Sequence, residues 1–283
     1  MARNSKSRLN KEVESTKPAD ADPVAALSEG ALTFTTPTEF VELPSGGDYY
    51  PEGHRLHGEQ TVEIKFMTAK EEDILTSKTL IKQGVALERL LKSVIVDKSI
   101  DPSTMLTGDR NALLIATRKS GYGEEYNAKI NCPSCNNVNE VAYNLDAVET
   151  LSPPEESEVK WNSEGNMLVT LPLSKLEVEA KLLTGKEEMY LSRLQESKRK
   201  KRLLETSMQD VLKSMVISVN GDTSAEVLKL FISRVPARDI KHLREVYKRN
   251  TPNVEMNHEF ECENCNYRTV LEVPFTIEFF WPR

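Results

Sequence analysis

The chain has 283 residues, 39% of them hydrophobic, 29% charged and 6% aromatic, with a formal net charge of −7. This is enough chain for one or two domains with a real core. The acidic balance argues against a dedicated nucleic-acid binder, which carries a basic face. No apolar run approaches the roughly 18 residues of a membrane span. The start, Met1 to Arg8, lacks the apolar stretch of a signal peptide, so the thiols are expected in a reducing cytoplasm, free for metal rather than for disulfides.

In chain order, residues 1–35 are rich in Ser, Lys, Glu, Asp and Ala. They offer too little apolar surface to offset the entropy of ordering, and read as a disordered arm. Val41–Pro51 contains Pro44 and Gly46-Gly47, the chemistry of a tight turn. Val62, Ile64 and Phe66 alternate with charged residues as a half-buried strand does. Thr68 then precedes Glu71 by three positions, a capping box that opens a helix. Leu91–Ile95 ends a helix, Asp97–Thr107 with Pro102 reads as a loop, and a short helix follows at 109–119. Strands at 126–131 and 138–145 flank Cys132 and Cys135, and residues 147–160, with Pro153-Pro154, read as a hinge.

The same order then returns. Val178-Glu-Ala-Lys-Leu-Leu-Thr-Gly-Lys-Glu-Glu188 repeats Val62-Glu-Ile-Lys-Phe-Met-Thr-Ala-Lys-Glu-Glu72, including the strand alternation and a second capping box, Thr184 with Glu187. Leu212–Val216 matches Leu91–Ile95, a helix at 236–248 matches 109–119, and strands at 255–261 and 268–275 flank Cys262 and Cys265. The offset grows from 116 at Val62 to 121 at Leu91 and 130 at Cys132, as loop insertions in a duplicated unit would make it. The second half differs in a long helix over 185–219 and in an extra helix at 223–233, opened by Thr223 with Glu226. The expected fold class is α+β. It comprises a first module at 36–146, a linker at 147–160 and a second module at 161–283, each running strand, helices, strand, Cys-x-x-Cys, strand.

All four cysteines lie in these two pairs, with 126 residues between them. A four-cysteine zinc ribbon usually closes over about 15–20 residues. The repeat explains the wider spacing: each module supplies half of one tetrahedral zinc-ribbon-like site through Cys132, Cys135, Cys262 and Cys265. A thioredoxin-like redox pair would open a helix, whereas turn and strand residues follow both pairs here. Four thiolates leave no position for a reacting water, so the expected cofactor is one structural Zn2+ per chain.

Other candidates are weaker. Lys198–Arg202 is basic, but no aromatic residue interleaves with it to stack a base, and a solvated helix face is the simpler reading. His54, His57, His242 and His258 fall in no catalytic pattern, and no helix follows Gly121-Tyr-Gly123 to make a phosphate loop, so no enzyme is expected. The ending Phe275-Thr-Ile-Glu-Phe-Phe-Trp-Pro-Arg283 admits two readings. Its rings either pack into the core, or Phe279, Phe280 and Trp281 anchor a partner as interface aromatics do.

Five segments together resemble a known family: Leu43–Pro51 (LPSGGDYYP), Met67–Leu75 (MTAKEEDIL), Leu106–Arg110 (LTGDR), Tyr122–Tyr126 (YGEEY) and Cys132-Pro-Ser-Cys135. The order is similar to that of the baseplate hub and hub-assembly proteins of T4-type contractile-tailed phages. The likeness covers roughly 40–150, and the second half joins it through its Cys-x-x-Cys and Phe-Phe-Trp-Pro ending. It implies a non-enzymatic role in building the central hub, with other tail proteins as partners, in the host cytoplasm during assembly and in the virion tail. It implies no small-molecule substrate and no membrane span. The alternative from another class is a zinc-ribbon nucleic-acid-binding protein of viral replication or transcription, using Lys198–Arg202 on phosphates.

Overall fold

Alternation along Thr38–Glu42 and Thr61–Lys65 makes two strands, β1 and β2, paired antiparallel with Val41 opposite Val62. They open a computed structural model that describes residues 36–154, 159–201, 207–255, 257–272 and 277–280; the expected N-terminal arm, 1–35, lies outside it. Three helices follow, α1 (Ala69–Thr76), α2 (Lys78–Gln83) and α3 (Ala86–Val94). They are separated by the Ser77 cap and by Gly84, whose φ of 67° no larger residue adopts freely. A 3-10 turn at Pro102–Thr104 leads into α4 (Thr107–Tyr122). The first hairpin, β3 (Glu125–Asn131) and β4 (Val138–Asn144), carries the first cysteine pair.

Next come β5 (Glu149–Leu151), β6 (Lys160–Trp161), β7 (Met167–Thr170) and β8 (Glu177–Ala180). After these lie α5 (Gly185–Lys200), α6 (Ser207–Met215), β9 (Val216–Val219), α7 (Ala225–Arg234) and α8 (Ala237–Asn250). The chain closes with β10 (Asn253–Glu255), the hairpin β11 (Asn257–Glu261) and β12 (Arg268–Glu272), and a 3-10 turn at Ile277–Phe280. Strands β6-β7-β8-β9 form one antiparallel sheet, and the remaining strands pair in twos.

Three expectations change. The long helix over 185–219 is two helices and a strand, because the β-branched run Val216-Ile-Ser-Val219 pairs with β8. Residue 224, not Thr223, caps α7, and it does so without a side-chain bond; Asp222 accepts from the Ser224 N–H at 2.8 Å instead. The expected hinge is partly tied down: β5 pairs with β10, and β6 with β7.

The two halves repeat their local chemistry. Lys65 Nζ lies 2.7 Å from Glu71 Oε1, and Lys181 Nζ 2.7 Å from Glu187 Oε1. Each carboxylate also closes the capping box of its own helix, on Thr68 and Thr184. Ile95 bridges Ile64 just as Val216 pairs with Ala180, so the first half keeps a single bridge where the second has a full strand. A further match links Val41-Glu-Leu-Pro44 with Val169-Thr-Leu-Pro172. In each half the turn after Leu-Pro is held by a fully buried aspartate at the start of a later helix. Asp109 of α4 accepts from the Ser45 N–H (3.0 Å), the Ser45 hydroxyl and the Tyr50 hydroxyl (both 2.6 Å). Asp239 of α8 accepts from the Leu173 and Ser174 N–H groups at 2.8 and 2.9 Å. Burial dominates at Asp109 and raises its carboxyl, whereas at Asp239 the donors outweigh burial and lower it.

The halves interlock within one compact unit, 37–283. The Thr107 N–H donates to the Leu183 carbonyl and the Gly185 N–H to the Met105 carbonyl, both at 3.0 Å. At Gly108 an added Cβ would lie 2.1 Å from the Pro252 carbonyl oxygen, so only glycine permits this approach of α4 to the chain leading into β10. Arg118, 1% exposed, donates to the carbonyls of Gly123, Glu125 and Phe279 at 3.0–3.1 Å. The Tyr122 and Tyr126 ring faces lie 5.1 and 5.9 Å from its guanidinium. A buried cation is costly unless so satisfied. Phe279 meets Tyr126 edge-on, and both Phe279 and Phe280 are 1% exposed.

Phe279→Ala should cost about 3–5 kcal/mol of unfolding free energy, measured by urea denaturation. Burial pushes the Glu71 carboxyl up, but bonds from Lys65, Ser93 and Thr68 outweigh it and bring it down to about 2. A lowered carboxyl stabilises the fold above its ordinary titration range, and this contribution is lost as pH falls toward 2. Glu71→Gln should therefore be clearly less stable than the parent at about pH 7, with the gap narrowing below about pH 4–5 and closing only as pH falls through about 2. Urea midpoints across that range check it.

Candidate metal centre

Each cysteine pair sits in the turn of its hairpin, and the two turns are built alike. The Cys132 N–H donates to the Asn137 carbonyl and the Asn136 N–H to the Cys132 carbonyl, both at 2.8 Å. In the second hairpin the Cys262 N–H donates to Tyr267 at 3.0 Å and the Asn266 N–H to Cys262 at 2.9 Å. Asn136 and Asn266 take left-handed φ values of 59° and 54°, which asparagine tolerates better than most residues. The tight return puts both sulfurs of a pair on one side of its turn.

The hairpins then bring all four sulfurs within 4.8 Å of one another. Cys132 Sγ lies 3.7 Å from Cys265 Sγ, and Cys135 Sγ lies 3.6 Å from Cys262 Sγ. A disulfide needs about 2.05 Å, so these are free thiols. Four thiolates about 2.3 Å from one tetrahedral ion stand roughly 3.8 Å apart, and the separations fit that arrangement. Cys132 and Cys262 are buried, with Cys135 and Cys265 at the surface.

Asn139 on β4 ties the two turns together. It is 3% exposed, its amide NH2 donates to the Asn137 carbonyl at 2.9 Å and approaches Cys262 Sγ at 3.7 Å, and its oxygen accepts from the Glu263 N–H at 3.0 Å. Asn264 places its amide 3.6 Å from Cys135 Sγ in return. Burial pushes the Cys262 thiol up, but the Cys265 and Asn264 N–H groups and neighbouring thiols bring it down to about 6. The Tyr267 backbone pulls Cys265 down, yet burial and the other three thiols carry it up to about 11. The thiolate is thus favoured at Cys262 while further negative charge is opposed at Cys265, a repulsion that a cation among the sulfurs would relieve. Cys132, Phe260 and Cys262 form a small apolar cluster with Ile130, Val141 and Leu271 against them, and Ile130 and Val141 also pack on the main core.

The other sequence candidates lie elsewhere. Phe279 and Phe280 are spent on the chain's own core, which corrects the expectation that they anchor a partner: their rings pack on each other, and Phe279 also packs on Tyr126. Trp281 lies outside the described residues. Lys198 pairs with Asp210 and Lys200 with Glu196, so acids offset part of the basic run; Arg202 falls outside the described residues. His54 stacks on Tyr50 and meets the Thr104 hydroxyl at 3.0 Å, while His57 Nδ1 meets the Tyr50 carbonyl at 2.7 Å, both structural contacts. Sequence reasoning missed Asn139 and the Asp109/Asp239 clamps. The aspartates were findable, because they stand 130 positions apart, the spacing of Cys132 and Cys262.

These features define an α+β protein with a four-cysteine centre suited to a metal ion. Residues 36–281 match the family described as T4 bacteriophage base plate protein, and the chain belongs to that family. No curated protein and no solved structure matches it.

Asn139→Ala should leave all four thiols in place but weaken metal binding about 10–100-fold. Competition with a chromophoric chelator, at matched thermal stability of the loaded proteins, measures this.

Proposed function

We propose that the chain is a non-enzymatic component or assembly factor of the baseplate hub. On this reading it is built from two duplicated modules clasped by one structural Zn2+ held by Cys132, Cys135, Cys262 and Cys265, and it binds other tail proteins. It acts in the host cytoplasm during assembly and is carried into the tail if it is a component. The family match over 36–281 is the observation that carries the role. Support for the duplication comes from the paired ion pairs, capping boxes and aspartate clamps of the two halves. Support for zinc comes from an all-thiol donor set with separations that fit a tetrahedral ion. Soft thiolates favour zinc over magnesium or calcium. When bound, the ion would act as a crosslink, worth about 10–16 kcal/mol in small zinc modules.

Elemental analysis of purified protein should give one zinc per chain, lost in both Cys132→Ser and Cys262→Ser. Two zincs per chain, or retention in either variant, would overturn the shared site. Mass spectrometry of mature particles separates a component, present in the tail, from an assembly factor, absent from it.

A further inference from the structure

Two sulfur contacts in the cysteine cluster run between the hairpins. Cys132 Sγ faces Cys265 Sγ at 3.7 Å, and Cys135 Sγ faces Cys262 Sγ at 3.6 Å. Each contact joins a buried thiol, Cys132 or Cys262, to a surface thiol of the other hairpin, Cys265 or Cys135. A small oxidant can therefore reach one member of each contact, with the second member already behind it. Closing either contact to the roughly 2.05 Å of a disulfide needs an approach of about 1.6 Å. Rotation of the surface side chain and a small drawing together of the turns supply it.

Bonds inside one turn are less favoured. Each Cys-x-x-Cys turn is fixed by two backbone hydrogen bonds and by a left-handed asparagine, Asn136 or Asn266. The Ser134 N–H also points at Cys132 Sγ from within the first turn, at 3.4 Å. A disulfide within a turn must work against that scaffold. A disulfide between turns adds to the link that Asn139 already makes from the Asn137 carbonyl to the Glu263 N–H.

We infer that the four cysteines are an oxidisable clasp: a peroxide converts their thiolates into two disulfides that cross between the hairpins, Cys132–Cys265 and Cys135–Cys262, and the metal ion leaves. At each contact the surface thiolate attacks one peroxide oxygen, the O–O bond breaks, and hydroxide departs from a sulfenic acid. The buried thiolate of the other hairpin then attacks that sulfur. The S–S bond forms as the S–O bond breaks, and a second hydroxide departs. Each peroxide takes two electrons from two thiolates, so two peroxides consume all four ligands. The inference rests on the metal site proposed above and names the modification that replaces the ion. The two halves stay joined in either state, by the ion in a reducing cytoplasm and by covalent bonds on a particle in an oxidising medium. The bonds would span 133 and 127 positions, and crosslinks over long loops restrict the unfolded chain most.

The test uses the full-length protein, with its zinc content measured beforehand. It is treated with hydrogen peroxide beside a metallochromic dye, alkylated, and digested without reductant. Trypsin leaves Cys132 and Cys135 in one peptide, 130–160, and Cys262 and Cys265 in another, 250–268. Cleavage after Glu263 then parts Cys262 from Cys265, and fragmentation by mass spectrometry places each bond. The expected result is one zinc released per four thiols lost, with the two peptides of a monomeric chain joined by both crossing bonds. Cys135→Ser should still form Cys132–Cys265 and leave Cys262 free. The oxidised protein should unfold at a higher urea concentration than reduced protein stripped by a chelator. Bonds within each pair, bonds between chains, thiols carried on to sulfinic acid, or thiols unreacted at peroxide levels that oxidise a free cysteine peptide would each overturn the inference. Absence of zinc from the starting protein would count against the metal site alone, because the bond pattern of its reduced thiols still decides the clasp.

Discussion

Neither cysteine hairpin could hold its shape alone. A two-stranded hairpin is marginal in water, and among the described residues β3-β4 and β11-β12 each pair with no third strand. What they share is a small apolar cluster around Cys132, Phe260 and Cys262, four facing sulfurs, and the Asn139 bridge from one turn to the other. Everything at that end depends on keeping four polarizable, partly anionic sulfurs at mutual contact. Without a cation between them, the attraction is weak and charge repulsion opposes it. This makes the thiol cluster the constraint on which the pairing of the two hairpins turns, even though most of the buried surface lies elsewhere.

Elsewhere in the fold a different device is used twice. Asp109 and Asp239 each start a helix, where the exposed N–H groups favour negative charge, and each reaches back to the turn that follows a Leu-Pro pair. In the first half the turn is long and supplies hydroxyls as well as an amide; in the second it is short and supplies amides alone. The longer turn buries Tyr50, whose hydroxyl also accepts from the Leu106 N–H at 3.0 Å. The segment around Leu106, Met105–Thr107, meets Leu183–Gly185 of the other half. The extra residues of the first turn therefore help shape the surface on which the second half rests.

Much of this was legible in the residues. The strand alternation at Val62–Phe66 and Val178–Leu182, the capping boxes and the cysteine turns all appear where local chemistry dictates them, because each is decided within a few residues. The errors share a cause. Val216–Val219 reads as the end of a helix until β8 offers it a partner, and the Pro153-Pro154 linker reads as free until β10 pairs with β5. The aromatic ending is ambiguous by composition, and its burial goes with Arg118, whose guanidinium collects two nearby carbonyls and the distant carbonyl of Phe279. Asn139 is likewise an ordinary strand residue until a second hairpin stands opposite. Nonlocal pairing is what a single sequence hides, and the cysteine centre lies where the two hairpins meet.

The Arg118–Phe279 contact joins residues 161 positions apart. Its geometry sets an order of events during synthesis. The helix that carries Arg118 emerges from the ribosome long before the rings and carbonyl that complete its surroundings. Until residues 279 and 280 arrive, α4 has an uncovered cation beside exposed tyrosines, so the first half is made early but sealed late. A chain stalled or cut short in its second half would present that unsealed surface to proteases and chaperones, and quality control would act on the first module for a defect in the second.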